Sequence, residues 1–391
     1  MGSIDAMVNA ASGSISSLRN AGSGTLGIGA KTALNNAGSI ATLSNSGAIH
    51  GTLNGVYNSG TIGTLNNQTT GQINEVFLYS GSVGQLNNVG SISTVGTIGL
   101  ELYNLGTLGT LNNSGAISGG SEALVNQGIV TSLVNSGTIA ANHTGLGNGG
   151  SIGAVSNTGT VGSGLAAVAN SYGTIDSFQN ASAGLLSGGH TGINNDGVVG
   201  TLTNAGAISG SITGIFNQAL IGTLNNSGTI NGASHYGFND HGQLGSLINS
   251  GAITGKTGLS LAGASTTVTN TGTIIGTGGT AIKIANGNPD TLILSTGSDV
   301  QGTIDAGTTA STILLEGDPV MGTSTPINDP NGSLTIQKTG NWTVNDTWSV
   351  GTVTNDGMLT IASVSGTTTA PGLLNLTGNY VQSSTGTLAM L

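Results

Sequence analysis

The sequence contains no cysteine, few charged residues and few aromatic residues, and each scarcity excludes a class of protein. Without cysteine there can be no disulfide, thiolate metal site or cysteine nucleophile. Lysine and arginine number 5 against 15 acids, giving a net charge of −10, so the basic surface that binds nucleic acid or anionic membrane is missing. No apolar run approaches the roughly 18 residues that a membrane-spanning helix needs. Any partner must therefore be recognised mainly through uncharged groups.

Glycine is abundant, with 71 of the 391 residues, a proportion typical of flexible linkers. However, 36% of the residues are apolar, and they recur at regular intervals instead of being scattered. Threonine, valine, isoleucine and asparagine are frequent, and these residues favour strands and tight turns over helices. The composition predicts an ordered, all-β chain.

One short pattern recurs along most of the chain: asparagine, any residue, glycine, any residue, and then an aliphatic residue. Two examples lie in GTLNNSGAIS (109–118) and GTLNNSGTIN (222–231). The marker asparagines alternate between spacings of 9 and 13 residues, so the unit is about 22 residues long, and roughly eleven units fill residues 9 to 261. Tyr79 and Asp240 take the place of the asparagine in two units.

A unit of this length fits one coil of a right-handed parallel β-helix, in which three short strands are joined by tight corners. The isoleucine that closes the marker and the leucine of Gly-Thr-Leu would point inward, together with a third aliphatic column. That third column contains Val56, Leu102, Leu124, Leu146, Ile193 and Ile215. Because neighbouring strands lie about 4.8 Å apart, each aliphatic side chain would pack on its copies above and below.

The marker asparagine has a matching interpretation. At a corner it tolerates positive φ, and the glycine two residues later relieves the turn. When the corner repeats in every coil, each side-chain amide can bond to the next and form a ladder. We therefore interpret these asparagines as scaffold, and not as ligands for a sugar or an ion.

The repeat fades after residue 288, which predicts two regions: a repetitive β-helix over 1–288 and a cap over 289–391. All five prolines and both tryptophans lie in the second region. Its segments 333–350, 357–364 and 372–391 alternate apolar and polar residues, which predicts wider strands and hairpins. A solenoid needs such a terminal cap to close its core.

Two segments of this second region, GNWTV (340–344) and LTGNYVQ (376–382), resemble the autochaperone-type end of a classical autotransporter passenger. The repeats, such as NSGTIGTLNNQTTGQI from residue 58, are similar to those of adhesin-like passengers of Gram-negative bacteria. The resemblance implies a right-handed β-helix exported through the outer membrane to the cell surface. It also implies folding seeded from the C-terminal region, and membrane contact only through a translocator barrel after Leu391.

Motifs of catalysis are scarce. The two G-x-G-x-x-G matches, at 22 and 145, lack the strand-to-helix context that phosphate binding requires. We expect no catalytic residue, no cofactor and no metal site. The enzymatic alternative is a polysaccharide-acting β-helix, which a cleft lined by several acids would favour.

Three histidines, His143, His190 and His235, occupy the same position in the long half of the repeat, on every second coil. Strand spacing places successive members about 9.6 Å apart, too far to share a zinc ion, whose ligands lie within about 2.1 Å of the metal. They are interpreted as solvated turn residues, with a weakly pH-sensitive surface as the alternative.

Two sets of residues are candidates for an interaction surface. Tyr57, Tyr103 and Phe216 each follow an inward aliphatic residue, so alternation places them outside or at a corner. There they can bind a sugar or a partner, or only shield the corner from water. Ser118, Ser209 and Asn231 lie in the variable long half of the repeat, where we expect loops on a rigid scaffold.

These features predict a surface-exposed adhesin or self-association scaffold that binds a receptor, a glycan or a second copy of itself, and no nucleic acid. A further alternative is an ice-binding solenoid, because TIGTL at 61 and TLGTL at 107 place paired threonines on one strand. That function needs a flat grid of threonines, and segments such as SIATL at 39 break it.

Overall fold

The computed structural model describes residues 3–93, 100–285, 287–319, 325–365 and 368–391. Within these ranges the chain forms 46 strands and no α-helix. Nothing in them could therefore cross a membrane as an apolar helix. The strands stack in parallel coils of about 22 residues, so the prediction of an all-β, parallel β-solenoid is confirmed. The chain comprises two compact units, residues 1–200 and 201–391.

The strands of the first unit, in chain order, are β1 Ser3–Ile4, β2 Met7–Asn9, β3 Ser14–Asn20, β4 Thr25–Leu26, β5 Thr32–Asn36, β6 Ser39–Asn45, β7 Ala48–Ile49, β8 Asn54–Asn58, β9 Thr61–Asn67, β10 Gln72–Ile73, β11 Val76–Leu78, β12 Ser82–Asn88, β13 Ser91–Ile92, β14 Leu100–Asn104, β15 Thr107–Asn113, β16 Ala116–Gly119, β17 Glu122–Asn126, β18 Ile129–Asn135, β19 Thr138–Ala141, β20 Thr144–Asn148, β21 Ser151–Asn157, β22 Thr160–Ser163, β23 Ala166–Asn170, β24 Thr174–Asn180, β25 Leu185–Gly188 and β26 Thr191–Asn195. Strand β27, Val198–Asn204, contains the boundary between the units.

The strands of the second unit, in chain order, are β28 Ala207–Gly210, β29 Thr213–Asn217, β30 Leu220–Asn226, β31 Thr229–Gly232, β32 Tyr236–Asp240, β33 Gln243–Asn249, β34 Ala252–Leu261, β35 Thr267–Asn270, β36 Thr273–Ile284, β37 Thr291–Leu294, β38 Asp299–Asp305, β39 Thr312–Leu315, β40 Ile327–Ile336, β41 Asn341–Val344, β42 Thr347–Asn355, β43 Met358–Ser365, β44 Thr368–Pro371, β45 Asn375–Gln382 and β46 Thr387–Met390.

In the first unit each coil contributes one strand to each of three parallel sheets. The first sheet contains the seven-residue strands, such as β15 and β18, which pair with Leu111 opposite Leu133. The second sheet contains the short strands, such as β16 and β19. The third contains strands such as β17 and β20. Because the register repeats from coil to coil, one position of the repeat forms one column of the stack.

The core consists of the aliphatic columns that the repeat predicts. On one coil, Leu111 of the first sheet and Ile117 of the second are 0% exposed, and Leu124 of the third is 1% exposed. All six predicted members of the third column are buried as well: Val56, Leu102, Leu124, Leu146, Ile193 and Ile215. Each side chain packs on its equivalents one coil away, so single residues per strand make a continuous core.

The marker asparagines form hydrogen-bonded ladders, as predicted. In the first sheet of the first unit, the Asn113 Nδ2 donates to the Asn135 Oδ1 at 2.8 Å, and the Asn135 Nδ2 donates to the Asn157 Oδ1 at 2.8 Å. The second amide hydrogen goes to the backbone, as from Asn113 to the carbonyl oxygen of Thr138 at 3.1 Å. The third sheet carries a parallel ladder, for example from Asn126 to Asn148. These side chains are buried, yet their amides are paired.

The expected backbone conformation of these asparagines is wrong. Within the described ranges, the residues other than glycine with positive φ are Glu75 and Tyr172. The ladder asparagines instead end their strands in the ordinary region. The glycine of the marker is needed for close approach: a β-carbon on Gly115 would overlap the carbonyl oxygen of Gly90 one coil away. Glycine there lets corners stack at strand spacing.

The third-sheet ladder is interrupted on one coil. Leu78, not Tyr79, is in register with Asn58 and Asn104, so the substitution inferred for Tyr79 is wrong by one position. The cause is one extra residue in the corner that follows β11. On the next coil, the Asn104 Oδ1 accepts a hydrogen bond from its own corner, from the amide of Gly106 at 3.1 Å. Asp240 in the second unit does replace an asparagine, because it accepts a 2.6 Å hydrogen bond from Asn217.

The coils continue through the C-terminal part of the second unit. Thr267 of β35 pairs with Thr291 of β37, on the two sides of the predicted boundary at 288/289, and that boundary stays a prediction. Strands β40 and β42, of 10 and 9 residues, are longer than the seven-residue strands of the first sheet, as expected. Long strands already begin before residue 288, however, with β34 of 10 residues and β36 of 12. Strands β43 and β44 form an antiparallel hairpin, as expected for this region. The pairings of β40 with β42, β41 with β43, β42 with β45 and β43 with β46 are parallel.

We predict that Leu224→Asp destabilises the second unit while Ser227→Asp is nearly silent. Leu224 is 0% exposed and packs in register with Leu247, so a carboxylate there would be buried without a partner, at a cost of several kcal/mol. Ser227, at the following corner, is exposed. Thermal melts of both variants provide the test, and equal melting temperatures would contradict the column assignment.

Candidate functional site

Four aromatic rings gather on the outward side of the third sheet in the first unit: Tyr57, Phe77, Tyr79 and Tyr103. We call this group the aromatic patch. Tyr57, Phe77 and Tyr103 occupy the same register position on three successive coils, next to the buried Val56, Val76 and Leu102. Alternation along the strand therefore turns the rings outward. Aromatic residues are 3% of the chain, so four in one patch mark this surface as exceptional.

The rings contact one another in two stacked pairs. Tyr57 stacks on Tyr79 with 5.8 Å between ring centroids, and Phe77 stacks on Tyr103 with 5.2 Å between centroids and an interplanar angle of 5°. Edge-to-face contacts of 5.4 and 6.0 Å join Phe77 to Tyr57 and to Tyr79. These are favourable aromatic geometries that hold each ring in place. Tyr79 is 52% exposed, so the patch presents a fixed ring to solvent.

A shortened corner precedes the patch strand β11. In the preceding coil Ile49 and Val56 are seven positions apart, whereas in this coil Ile73 and Val76 are only three apart. Glu75 makes the tight corner with a φ of 91°. The Asn74 side chain compensates for the missing backbone, because it both donates to and accepts from the backbone of Gly51 one coil below. The coil of the patch thus departs from the repeat at Glu75, Leu78 and Tyr79 together.

The sequence placed two of the four patch residues, Tyr57 and Tyr103, on the outward face. It missed Phe77 and Tyr79, although the signal was present in the segment EVFLY (75–79). The corners before and after β11 differ in length from those of the other coils, so the spacing of the repeat does not reveal the register of this strand. Phe216, the third predicted aromatic, lies in the second unit. It contacts His241 edge-to-face, with 5.5 Å between ring centroids.

The three histidines are exposed, at the position that the repeat predicts. In the first unit, the backbone amide of Leu165 donates to the carbonyl oxygen of His143, and the backbone amide of His190 donates to the carbonyl oxygen of Leu165. His143 and His190 are therefore two coils apart, which confirms the every-second-coil spacing. The His143 Nδ1 lies 2.8 Å from the Ser121 Oγ, and the His235 Nδ1 lies 3.1 Å from the Ser234 Oγ. In the described ranges, no three His, Asp or Glu side chains are grouped as a metal site would require.

Ser118, Ser209 and Asn231 lie within second-sheet strands, not in loops as expected. Ser209 pairs with Asn231 on adjacent coils of the second unit. Ser118 pairs with Ala140 in the first unit. Ser118 and Ser209 are half-buried and Asn231 is exposed. These residues form part of a flat sheet surface, which is a different kind of contact surface from a mobile loop.

A column of hydroxyl groups runs along the outward side of the first sheet in the second unit. Seven strands each contribute one residue in register: Thr223, Ser246, Thr267, Thr291, Thr312, Ser333 and Thr352. In the first unit the equivalent column is broken by Gln85 and Ala154. We call the seven-residue column, with the adjacent outward column that runs from Asn225 to Thr354, the hydroxyl face.

Several carboxyl groups are buried or half-buried. Burial raises the pKa of Asp290 to about 6, against hydrogen bonding from the Thr266 amide, and raises the pKa of Asp329 to about 6. Burial, with repulsion from Glu101, raises the pKa of Glu75 to about 7. Burial also raises the pKa of Asp240, although the hydrogen bond from Asn217 opposes the shift. Burial therefore disfavours the ionised form of each group relative to the same group in water.

No protein-family model, curated protein or solved structure matches this chain.

We predict that the folded chain is more stable at pH 5 than at pH 8. The pKa values of Glu75, Asp290 and Asp329 in the folded state exceed their ordinary values near 4. The stability that these groups contribute is fully present below their ordinary pKa, and it is lost as the pH rises through 6 to 7. Thermal melts across this range provide the test.

Asp290→Asn combined with Asp329→Asn keeps both side chains neutral and should reduce the pH dependence. The matched control is Asp176→Asn, because Asp176 is exposed. A melting temperature that is constant or increases between pH 5 and pH 8 would contradict the prediction.

Proposed function

We propose that the protein is a non-enzymatic adhesin or self-association scaffold, the passenger of a Gram-negative autotransporter exported to the cell surface. The observation that carries the proposal is the aromatic patch: interlocked rings held on a rigid and nearly uncharged scaffold. Exposed tyrosines offer large contact area at low conformational cost together with a hydroxyl group, which suits them to a binding surface. The partner is a glycan or receptor on a cell surface, or a second copy of the chain.

The scaffold supports adhesion through repetition. Outward columns repeat uncharged polar side chains at strand spacing, as in the pairing of Ser209 with Asn231. Each such contact contributes about 0.5–1.5 kcal/mol, and contacts on one rigid surface add through multivalency. With so few charges in the chain, electrostatic steering is weak. Binding of this kind should depend on contact area more than on ionic strength.

Export is supported by the composition and by the C-terminal region. The absence of cysteine suits a chain that crosses an outer membrane unfolded, and the GNWTV segment forms β41, whose Trp342 is buried. Trp348 of the neighbouring β42 is 2% exposed. Two large buried side chains add apolar area to the core of these coils, which supports folding that starts from this end.

We predict that Tyr79→Asn with Tyr103→Asn abolishes most adhesion while the fold persists. Both substitutions remove outward rings and leave Val76 and Leu102 of the core unchanged. The measurement is settling of bacteria or beads that display the chain, in a salt series up to about 0.5 M, where exposed ion pairs are screened. Adhesion of the wild-type chain should hardly change across that series.

The matched control is Tyr172→Asn, which removes a tyrosine that is 90% exposed and lies outside the patch. Asparagine tolerates the φ of 64° at that position. A second comparison, Ser209→Lys with Asn231→Lys, tests the second-sheet surface. Adhesion that collapses with salt, or that survives loss of the patch rings and of the second-sheet surface alike, would overturn the proposal.

The hydroxyl face favours a second candidate function, ice binding. Its hydroxyl groups repeat about every 4.8 Å across the strands, and outward residues on one strand are about 6.7 Å apart. The adjacent outward column mixes polar and aliphatic residues: Asn225, Ile248, Thr269, Ile293, Leu314, Thr335 and Thr354. None of these positions is charged. Such a face can hold water in rows, because hydroxyls anchor single waters and the methyl groups between them restrict the orientation of their neighbours.

We predict that, if this face binds ice, the protein shows thermal hysteresis that Thr291→Lys with Thr312→Lys abolishes. Two lysines at the centre of the column interrupt both the flatness and the spacing. The control is Thr229→Lys, an exposed threonine of the second sheet. Absence of hysteresis and of ice-crystal shaping in the wild-type chain would exclude this candidate.

A further inference from the structure

Two glutamates occupy positions on adjacent coils where the rest of the third sheet carries small residues. Val76 pairs with Leu102, so Glu75 and Glu101 precede equivalent residues. The corresponding residue is Gly55 in the coil below and Ala123 in the coil above. Glu101 is 0% exposed and Glu75 is half-buried. Two acids on adjacent coils thus occupy the position directly before the buried aliphatic residue, a position that is glycine or alanine on the coils below and above them.

Among the described residues, few charged groups lie near Glu75. The Asn54 amide on the coil below, oriented with its nitrogen toward Glu75, donates to both carboxylate oxygens at 3.2 Å. Glu101 is the charged group whose field acts on Glu75, and it is repulsive. Glu122, one coil further, pairs with Leu100 and lies one position away from this column. Lys31, at the same corner two coils below Glu75, has an exposed side chain.

We propose that Glu75 and Glu101 form a proton-dependent latch that holds strand β11, and with it the aromatic patch, in place. When Glu75 is protonated, the tight corner is stable. When Glu75 is ionised, Glu101 on the adjacent coil repels it in a site where burial already disfavours its charge. Glu75, held at positive φ in a shortened corner, is the member with a route to solvent, so the corner opens there.

The latch is coupled to the patch through a very short segment. Phe77 and Tyr79 lie two and four residues after Glu75, and they contribute one ring to each stacked pair. The ladder amide that would tie the end of this strand is replaced by Leu78, so β11 lacks the side-chain hydrogen bonds that secure its neighbours. Movement of the corner therefore separates the rings, and the patch is ordered at acidic pH and loosened above neutral pH.

The test is amide hydrogen exchange of the whole chain, followed by mass spectrometry for peptides that cover β11, after correction for the intrinsic pH dependence of exchange. Each unit by which the pKa of Glu75 exceeds its ordinary value corresponds to about tenfold in the opening equilibrium. We expect protection of β11 to fall at least about tenfold between pH 5.5 and pH 8.5. Near-ultraviolet circular dichroism of the tyrosines should change over the same range.

Glu75→Gln mimics the protonated acid and should remove the transition. Glu101→Gln removes the repulsion and should move the midpoint of the transition to lower pH. The control Glu122→Gln should behave as the wild-type chain. Protection that is equal at pH 5.5 and pH 8.5 in the wild-type chain, or a transition that neither Glu75→Gln nor Glu101→Gln changes, would overturn the latch.

The biological role of the latch rests on the proposed function, because the latch regulates the aromatic patch to which we assign adhesion. Its test needs no adhesion, so the two can fail separately. Loss of the exchange transition overturns the latch, and unchanged settling without Tyr79 and Tyr103 counts against the adhesive role of the patch.

Discussion

The buried side-chain amide of asparagine is the interaction on which the rest of the structure depends. An amide buried without a partner costs about 1–3 kcal/mol, and here the ladder amides find their partners one coil away, as Asn113 does with the side chain of Asn135 and the carbonyl oxygen of Thr138. Stacking is therefore the state in which these corners are stable. Once the ladder fixes the register, Leu111 falls on Leu133 and the narrow core follows. One aliphatic residue per strand is enough for most of the core, because every coil supplies the partner of the next.

The same constraint explains where the molecule can vary. The residues of the ladders and of the core repeat almost unchanged. The outward residues of the same strands can vary, because they do not affect the stacking of the coils. The hydroxyl face and the aromatic patch both occupy such outward positions. The patch coil goes further, because Leu78 interrupts a ladder and Glu75, like Glu101 on the next coil, sits where the flanking coils carry Gly55 and Ala123. A coil that gives up a scaffold interaction and contributes two rings to a cluster of four has the pattern expected of a functional surface.

Much of this architecture could be predicted from the repeat, because the period and the residue type at each position carry the information. The ladders, the three core columns and the histidine spacing follow from these alone. The backbone of the asparagines was predicted wrongly, since the closeness of the coils, and not a left-handed turn, selects the glycine at Gly115. Tyr79 was misplaced by one inserted residue, and the seven-residue hydroxyl column was invisible because corner lengths change between coils. Register across irregular corners is set by contacts that no local pattern encodes.

The most direct test of the central claim is the hydrogen exchange rate of the asparagine side-chain amides, measured by NMR on the isotopically labelled chain. The Nδ2 hydrogens of ladder residues such as Asn113 and Asn135 should exchange far more slowly than those of the exposed Asn142, because each is bonded within the stack. Exchange of the ladder amides at the rate of Asn142 would contradict the account, since the amides would then not hold the coils together.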